Sequence, residues 1–498
     1  MFAFCSETIA TRSTVASKIN GGIRATCVCI AFLLAVSPAI GLAQEPWRFI
    51  VTCDSRGRDD GIEKTVLREL VTEILSRDVD FVLFPGDLVS GHSASGPAEF
   101  EYQLRVWVEI MEPVYGNDIA VYLSRGNHEI ADVWSAYPLS YIDPNDNFTK
   151  RWLDVFGSDL YPEQKLPDNG PAGEKFMTYS VMHKNSLIVS LDQYAGLGHE
   201  AVHKVNQRWL DAQLAANAEP HVFVAGHEPA FRALHYDCLD NRPSDRDAFW
   251  AGIRNAGGRT YFCGHDHFYD HARIDDGDGE ADNDIHQYII GGAGAPPYHW
   301  LPPYLGDNSY YTVEQWHHAE GYGYTLVEID GPDVTLTWME RRTMDLEVPG
   351  IYEPRDMWSY TVVPELIVLS PNGNESLAAA SPHTIRWKTL NDPDVNDVTI
   401  DYSSDNGQSW QQVAQRPNTG LYEWNSVPAM DSTQCLVRIA DVRDAGISDV
   451  SDETFTIFEC QKQLAADLNG DCYVDFLDFA IFAGDWLKCG NPFDASCD

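Results

Sequence analysis

Five short segments hold most of the residues that could do chemistry: Asp54-Ser55-Arg56, Gly86-Asp87, Gly126-Asn127-His128-Glu129, Val224-Ala225-Gly226-His227 and Gly264-His265-Asp266-His267. Between them they offer carboxylates, an amide oxygen and imidazoles. A mixed oxygen and nitrogen donor set suits Zn, Fe or Mn better than Ca or Mg. Each segment alone says little, because a Gly-Asp is usually a turn and a Gly-His-x-His usually a loop. Their force lies in order and placement, since each directly follows an apolar run that reads as a buried strand. In open α/β sheets, ligands gather outside the carboxyl ends of strands. The glycines let the backbone turn sharply and bring donors close to an ion.

The elements that must position these donors are legible as an alternation. Trp47 to Cys53, Phe81 to Phe84, Ile119 to Leu123, Leu187 to Leu191, His221 to Ala225 and Arg259 to Cys263 are short, β-rich runs. Longer helical patterns separate them, such as Ile62 to Ile74 with apolar residues at helical spacing. Continuous apolar strands between helices imply a sheet covered on both faces. The later runs His286 to Ile290, Tyr324 to Ile329 and Val334 to Trp338 are expected to be antiparallel. The expected fold class is α/β: two mixed sheets packed together with outer helices, over residues 44–345. An irregular stretch holding Pro349 and Pro354 reads as a linker over 346–363. From 364 to 458 only short strands follow, with Asp405-Asn406-Gly407 as a hairpin turn signal, which predicts an all-β sandwich. Residues 459–498 form a small third unit.

The motif series resembles the calcineurin-like metallophosphoesterase superfamily, including its purple acid phosphatase-like branch, over about residues 46–340. The family pattern is Asp-x-His, Gly-Asp, Gly-Asn-His-Asp/Glu, a later His, then Gly-His-x-His. The resemblance implies a two-sheet α/β sandwich and a pair of divalent or trivalent transition metals, Zn, Fe or Mn. By it Asp87 bridges the two ions, Asp54 and His267 hold the first, and Asn127, His227 and His265 hold the second. His128 lies beside the substrate as a phosphate-binding group or leaving-group acid. The implied reaction is hydrolysis of a phosphate mono- or diester by a hydroxide that the metal pair activates. This chain departs from the pattern at Arg56, where the family has His. Arginine stays protonated and is a very poor metal ligand. Three roles are open to it: it leaves a looser first metal site, it points at the phosphate, or it pairs with an acidic side chain. Ser90 stands where purple acid phosphatases carry a tyrosine, so no tyrosinate ligand is expected.

Other residues near the motifs have plainer readings. Gly291 to Pro296, with Tyr298 and His299, is a candidate cleft wall, and Cys53 and Cys263 read as buried strand thiols. Asp275 to Asp284 reads as a solvated acidic loop.

The chain has 498 residues and a formal net charge of −41, which argues against nucleic-acid backbones and anionic membranes as partners. Its 44% hydrophobic content excludes a disordered acidic protein. Arg12, Lys18 and Arg24 precede an apolar run, Ala25 to Val36, and small residues lead to Ala43. Residues 1–43 therefore read as a secretory signal peptide, and a secreted, periplasmic or cell-surface location follows. No later stretch is long and apolar enough to span a bilayer. Cys460, Cys472, Cys489 and Cys497 crowd the tail at spacings that suit disulfides. There Asp467, Asn469, Asp471, Asp475 and Asp478 place oxygens at loop positions 1, 3, 5, 9 and 12, with the Tyr473 carbonyl at 7, as a Ca²⁺ loop requires. This resembles a single type I dockerin repeat, which implies a cohesin or cell-surface partner, and the sandwich resembles a fibronectin III or immunoglobulin-like domain. The competing reading is a non-enzymatic extracellular adhesion or scaffold protein with a degraded metal site.

Overall fold

The structure, a computed structural model, describes residues 45–91, 96–130, 147–194, 202–217, 219–304, 310–390, 395–462, 464–470, 472–486 and 488. The segment expected as a signal peptide lies outside the described residues, as do Asp471, Cys489 and Cys497.

The first region is built from β1 (Trp47–Val51), β2 (Arg56–Asp59), α1 (Lys64–Ser76), β3 (Phe81–Pro85), α2 (Pro97–Tyr115), β4 (Ala120–Ser124), α3 (Phe148–Phe156), β5 (Tyr179–His183) and β6 (Ser186–Leu191). It continues through α4 (Gln207–Ala216), β7 (His221–Gly226), α5 (Pro243–Asn255), β8 (Thr260–Cys263), β9 (Tyr269–Asp275), β10 (Ile285–Ile290), β11 (Thr312–Ala319), β12 (Gly323–Asp330), β13 (Asp333–Arg341) and β14 (Tyr352–Thr361). They form a six-stranded sheet, β14-β13-β12-β1-β3-β4, and a seven-stranded sheet, β11-β9-β10-β8-β7-β6-β5. Both are mixed: β1, β3 and β4 run parallel in the first, and β6, β7, β8 and β10 in the second.

Side-chain alternation explains the layering. In a strand, successive side chains face opposite sides. Phe49 and Val51 of β1, Phe81 and Leu83 of β3, Phe223 and Ala225 of β7, and Val327 and Ile329 of β12 all enter one apolar layer between the sheets. Ile50, Val82 and Phe84 turn the other way and meet α1, α2 and α3. Val222 and Val224 turn outward to α4 and α5. Aromatic stacking ties the inner layer together, with Phe49 on Phe81 at 4.6 Å and Tyr269 on Trp338 at 4.2 Å between ring centroids.

Two expectations need correction. Residues 346–363 are not a linker throughout, because β14 pairs with β13 from Tyr352 to Thr361 and closes the first sheet. Pro354 lacks a donor, and an edge strand tolerates it; a register shift opposite Trp338 and Met339 absorbs the neighbouring residue. Trp358 and Tyr360, two apart, pack against the inner layer. The run His286 to Ile290 is also not simply antiparallel: β10 pairs β9 antiparallel and β8 parallel.

The following region is all strand: β15 (Glu365–Ser370), β16 (Ser376–Ala378), β17 (His383–Leu390), β18 (Asp397–Ser403), β19 (Gln411–Pro417), β20 (Leu421–Trp424), β21 (Ser432–Asp441), β22 (Ser448–Val450) and β23 (Phe455–Phe458). β15, β17 and β20 form one sheet, and the others form a second. Both face a shared core that includes Ile385, Trp387, Ile400, Val437 and Ile457. Asn406 and Gly407 adopt positive φ between β18 and β19. Among the described residues of the tail, α6 (Phe476–Asp485) is capped by Asp475 and Asp478 and follows a disulfide between Cys460 and Cys472.

Candidate metal centre

Asp54 lies three residues past β1, Asp87 two past β3, and Asn127 and His128 three and four past β4. His227 follows β7 directly, and His265 and His267 follow β8 by two and four residues. The carboxyl ends of parallel strands in both sheets thus meet along one edge. The first sheet supplies the carboxylates and the amide, and the second supplies the three imidazoles. A hydrogen-bonded pair of serines, Ser124 with Ser190 at 2.8 Å, and the buried Arg125–Asp192 ion pair at 2.5 Å join β4 to β6 beside this edge.

Close approach is possible because side chains are missing where the loops cross. A Cβ on Gly264 would fall 2.2 Å from Asp54 Oδ2, and one on Gly126 would fall 2.2 Å from Asp87 Oδ1. Glycine is the residue type that fits at both crossings.

The six expected donors come together. Donor atoms of Asp54, Asp87 and His227 all lie within 4.8 Å of one another, and all three residues are buried. His227 Nε2 is 3.4 Å from Asp87 Oδ1 and 3.1 Å from Asn127 Oδ1. His265 Nδ1 is also 3.1 Å from Asn127 Oδ1, and His267 Nε2 is 3.7 Å from Asp54 Oδ1. The far nitrogens are pinned: His227 Nδ1 lies 2.8 Å from the Pro85 carbonyl, and His267 Nδ1 lies 3.0 Å from that of Pro296. His265 is turned the other way, with Nε2 3.4 Å from Asp237 Oδ1. Such outer partners fix which nitrogen a metal-binding histidine presents.

Electrostatics divides the two carboxylates. Burial works against ionising Asp87, yet His128, His227 and Arg56 hold its carboxyl well below the usual range. Asp54, buried beside that negative charge, is pushed up. Burial keeps His227 neutral, lowering it to about 4, and burial with the Arg56 charge pushes His267 well down. Burial likewise opposes protonation of His265, but Asp237 outweighs it and lifts the imidazole to about 10.

Arg56, at the start of β2, faces the cluster. Its Nε donates to His267 Nε2 at 3.2 Å and lies 3.5 Å from Asp87 Oδ2, while Nη2 donates to Tyr298 Oη at 2.9 Å. His128 donates its backbone N–H to Asp87 Oδ1 at 3.1 Å, and its Nε2 lies 3.8 Å from Asp87 Oδ2. Glu129 is a bracket behind the site: it accepts the backbone N–H groups of Asp87 at 2.9 Å, Gly126 at 2.8 Å and Val89 at 3.3 Å.

The loop from Gly291 reaches the site through its backbone, since Ala293 and Ala295 donate to the carbonyls of Cys53 and Asp54 at 2.8 and 2.7 Å. Tyr298 stacks on His267 at 4.2 Å, whereas His299 points away and meets Glu320 at 2.7 Å. Cys53 and Cys263 are free, buried thiols, raised chiefly by burial, and they donate to strand carbonyls. Ser90 donates to the Gly57 carbonyl at 2.8 Å, a turn contact. The acidic stretch is ion-paired in part: Asp276 with Arg254 at 2.6 Å and Asp284 with Arg273 at 2.8 Å.

Sequence reasoning passed over Asp237 and His235. Asp237 orients His265, and the His235 ring lies between those of His265 and Tyr298, at 4.8 and 5.0 Å. Both sit in an irregular loop after β7, where no periodicity or strand end marks them. The only signal was a His-x-Asp close behind His227.

Residues 56–269 match the family profile described as calcineurin-like phosphoesterase. Tartrate-resistant acid phosphatase type 5 of Mus musculus is 25% identical over 293 residues, 55% of this chain and 79% of the relative. The Rattus norvegicus protein of the same name is 25% identical over 289 residues, with the same coverage. A solved structure titled "Structure of PhoD" aligns with a TM-score of 0.47 at 12% identity, over 65% of this chain and 71% of that one.

Proposed function

We propose that this chain, which carries a calcineurin-like phosphoesterase domain and is a hydrolase of phosphoric ester bonds, is a secreted, transition-metal-dependent enzyme acting on phosphate mono- or diesters. One observation carries the reading: Asp54, Asp87 and His227 converge, buried, at the joint edge of the two sheets. The donors fit a metal. Asp54 Oδ1 is buried with no hydrogen-bond partner among the described residues. Two adjoining buried carboxylates also repel each other unless a cation lies between them. Asp87, Asn127, His227 and His265 would hold an ion on one side, and Asp54, Asp87 and His267 face the other. When bound, transition metals of this kind act as Lewis acids on phosphoryl oxygens and lower the pKa of water for attack at phosphorus.

The chain's own groups do the rest. Arg56 brings a fixed positive charge to where a phosphate would sit, and its forked N–H donors match phosphate oxygens. His128 is placed beside Asp87 to give a proton to the departing oxygen. Asp237 and Glu129 position other groups without touching substrate. The acid phosphatase names of the two relatives support a phosphate ester as substrate.

The same reading extends to the ends of the chain. Residues 1–43 direct export. The tail binds Ca²⁺ through Asp467, Asn469, Asp471, Asp475, Asp478 and the Tyr473 carbonyl, and it engages a cohesin-like or cell-surface partner. In support, Phe476 at the start of α6 is 88% exposed and Trp486, just past its end, 61%. The fibronectin III-like sandwich spaces the two.

The test is elemental analysis of purified protein joined to a panel of mono- and diesters at several pH values. Asp87→Asn is expected to lose turnover while keeping a cooperative thermal transition. Absence of turnover in the wild type with Zn, Fe or Mn would instead identify a scaffold.

A further inference from the structure

The two sides of the centre differ in what already occupies them. On the His267 side, Nδ1 lies 3.0 Å from the Pro296 carbonyl, an acceptor, so Nδ1 carries the proton and Nε2 holds the ring's only lone pair. Arg56 Nε donates into that lone pair at 3.2 Å. The guanidinium does not hang loosely there. Tyr298 accepts its Nη2 at 2.9 Å and lays its ring on His267 at 4.2 Å, nearly parallel at 13°. The same Nε is 3.5 Å from Asp87 Oδ2. Arginine cannot shed its proton in a protein, so this is a permanent positive charge between two of the three first-site donors.

On the opposite side the donors face one another rather than a guanidinium. Asn127 Oδ1 faces His227 Nε2 and His265 Nδ1, each at 3.1 Å, and Asp87 Oδ1 lies 3.4 Å from His227 Nε2. Asp54 borders both sides: its Oδ1, with no hydrogen bond among the described residues, lies 3.7 Å from His267 Nε2, and a carboxylate oxygen of Asp54 lies within 4.8 Å of the Asp87 and His227 donors. Imidazole nitrogens, an amide oxygen and carboxylates crowded within this distance of one another are a donor set that suits one transition-metal ion.

Resting on the functional reading above, we propose that the Arg56 guanidinium is a built-in substitute for the first metal. The chain then holds a single transition-metal ion at Asp54, Asp87, Asn127, His227 and His265, with His267 serving as the acceptor that seats Arg56. A single charge replaces a double one, and the guanidinium keeps N–H groups to offer phosphate. Tyr298 is a positioning residue for that cation.

The experiment counts metal rather than turnover. Full-length protein is stripped with chelator, supplied with excess Ca²⁺ to fill the tail, loaded with Zn²⁺, dialysed and analysed for zinc. One equivalent per chain is expected for the wild type and two for Arg56→His. With Mn²⁺ in place of zinc, electron paramagnetic resonance should give an isolated-ion spectrum for the wild type and a spin-coupled pair for Arg56→His. Two equivalents or a coupled pair in the wild type overturns the inference and leaves ester hydrolysis standing. One equivalent with no hydrolysis of any ester overturns the functional reading and leaves the inference standing. No bound zinc overturns both. If Arg56→His shows no cooperative thermal transition, the wild-type count decides alone.

Discussion

Asp54, Asp87 and His265 all sit at positive φ, at 64°, 52° and 69°. For residues with a Cβ this left-handed region is unfavourable, of order 1–3 kcal/mol each, and such strain gathers at functional sites. Here the surroundings hold it in place. Asp54 donates its N–H to the Gly86 carbonyl at 3.2 Å and accepts from Ala295 at 2.7 Å, and Asp87 donates to Glu129 at 2.9 Å. The strained backbone aims the carboxylates at each other, and the glycines leave room for it. Gly264→Ala tests this coupling. Its Cβ would meet Asp54 Oδ2 at 2.2 Å and Cys53 Sγ at 2.3 Å, both buried. Something must shift, and Asp54 is the displaced donor. Misplacing a reacting group by about 1 Å costs roughly 100-fold in rate. The expected outcome is a loss of that order in kcat/KM together with weaker metal binding in a zinc titration. An unchanged titration would mean that Asp54 is not a ligand.

The elements matter because donors from two sheets must keep a common edge. Arg125 and Asp192 fasten that edge: both are buried, and Arg125 Nε and Nη2 converge on one Asp192 oxygen, at 3.1 and 2.5 Å. Removing one partner of a buried pair leaves a buried charge uncompensated, at a cost of about 3–5 kcal/mol. Asp192→Ala should therefore lose that much stability in urea denaturation. It should also loosen the loop bearing Asn127 and His128, raising KM before the protein unfolds. The catalytic sheets were the most legible elements, since Phe81-Val-Leu-Phe84 and His221-Val-Phe-Val-Ala225 are apolar throughout and end at a motif. The donors were legible for the same reason, each standing just past such a run. β14 was missed because Pro354 and the charges of Glu353, Arg355 and Asp356 hide its alternation, which Trp358 and Tyr360 preserve on the buried side. Within 364–458 some strands leave little pattern to read: β19 is mostly exposed, and β16 and β22 have three residues each. Asp237 and the seating of Arg56 on His267 depend on distant segments meeting, and a linear pattern holds no trace of that.

At the scale of the whole chain, the net charge of −41 means that a cation bound at the sheet-edge centre or in the tail would relieve self-repulsion and add to stability. The two sites differ in hardness. The centre at the sheet edge mixes imidazole with carboxylate, whereas the tail offers oxygen alone, so Ca²⁺ should satisfy the tail and leave the centre idle. Among the tail's described residues Phe476, Leu477, Phe479 and Trp486 are exposed, and the Cys460–Cys472 disulfide and bonds such as the Asp475 N–H to Asp478 Oδ2 at 2.8 Å tie the loop. Chelation should therefore open residues 459–498 to protease while the sheets resist digestion. Adding back Ca²⁺ alone should restore the protection without restoring hydrolysis, and Zn²⁺ or Mn²⁺ should restore hydrolysis. Limited proteolysis read by mass spectrometry, run beside an ester assay on the same samples, measures both. Revival of catalysis by Ca²⁺ alone would show that the metal roles are divided wrongly. Protection of the tail that ignores Ca²⁺ would show that the loop from Asp467 to Asp478 folds by its own hydrogen bonds.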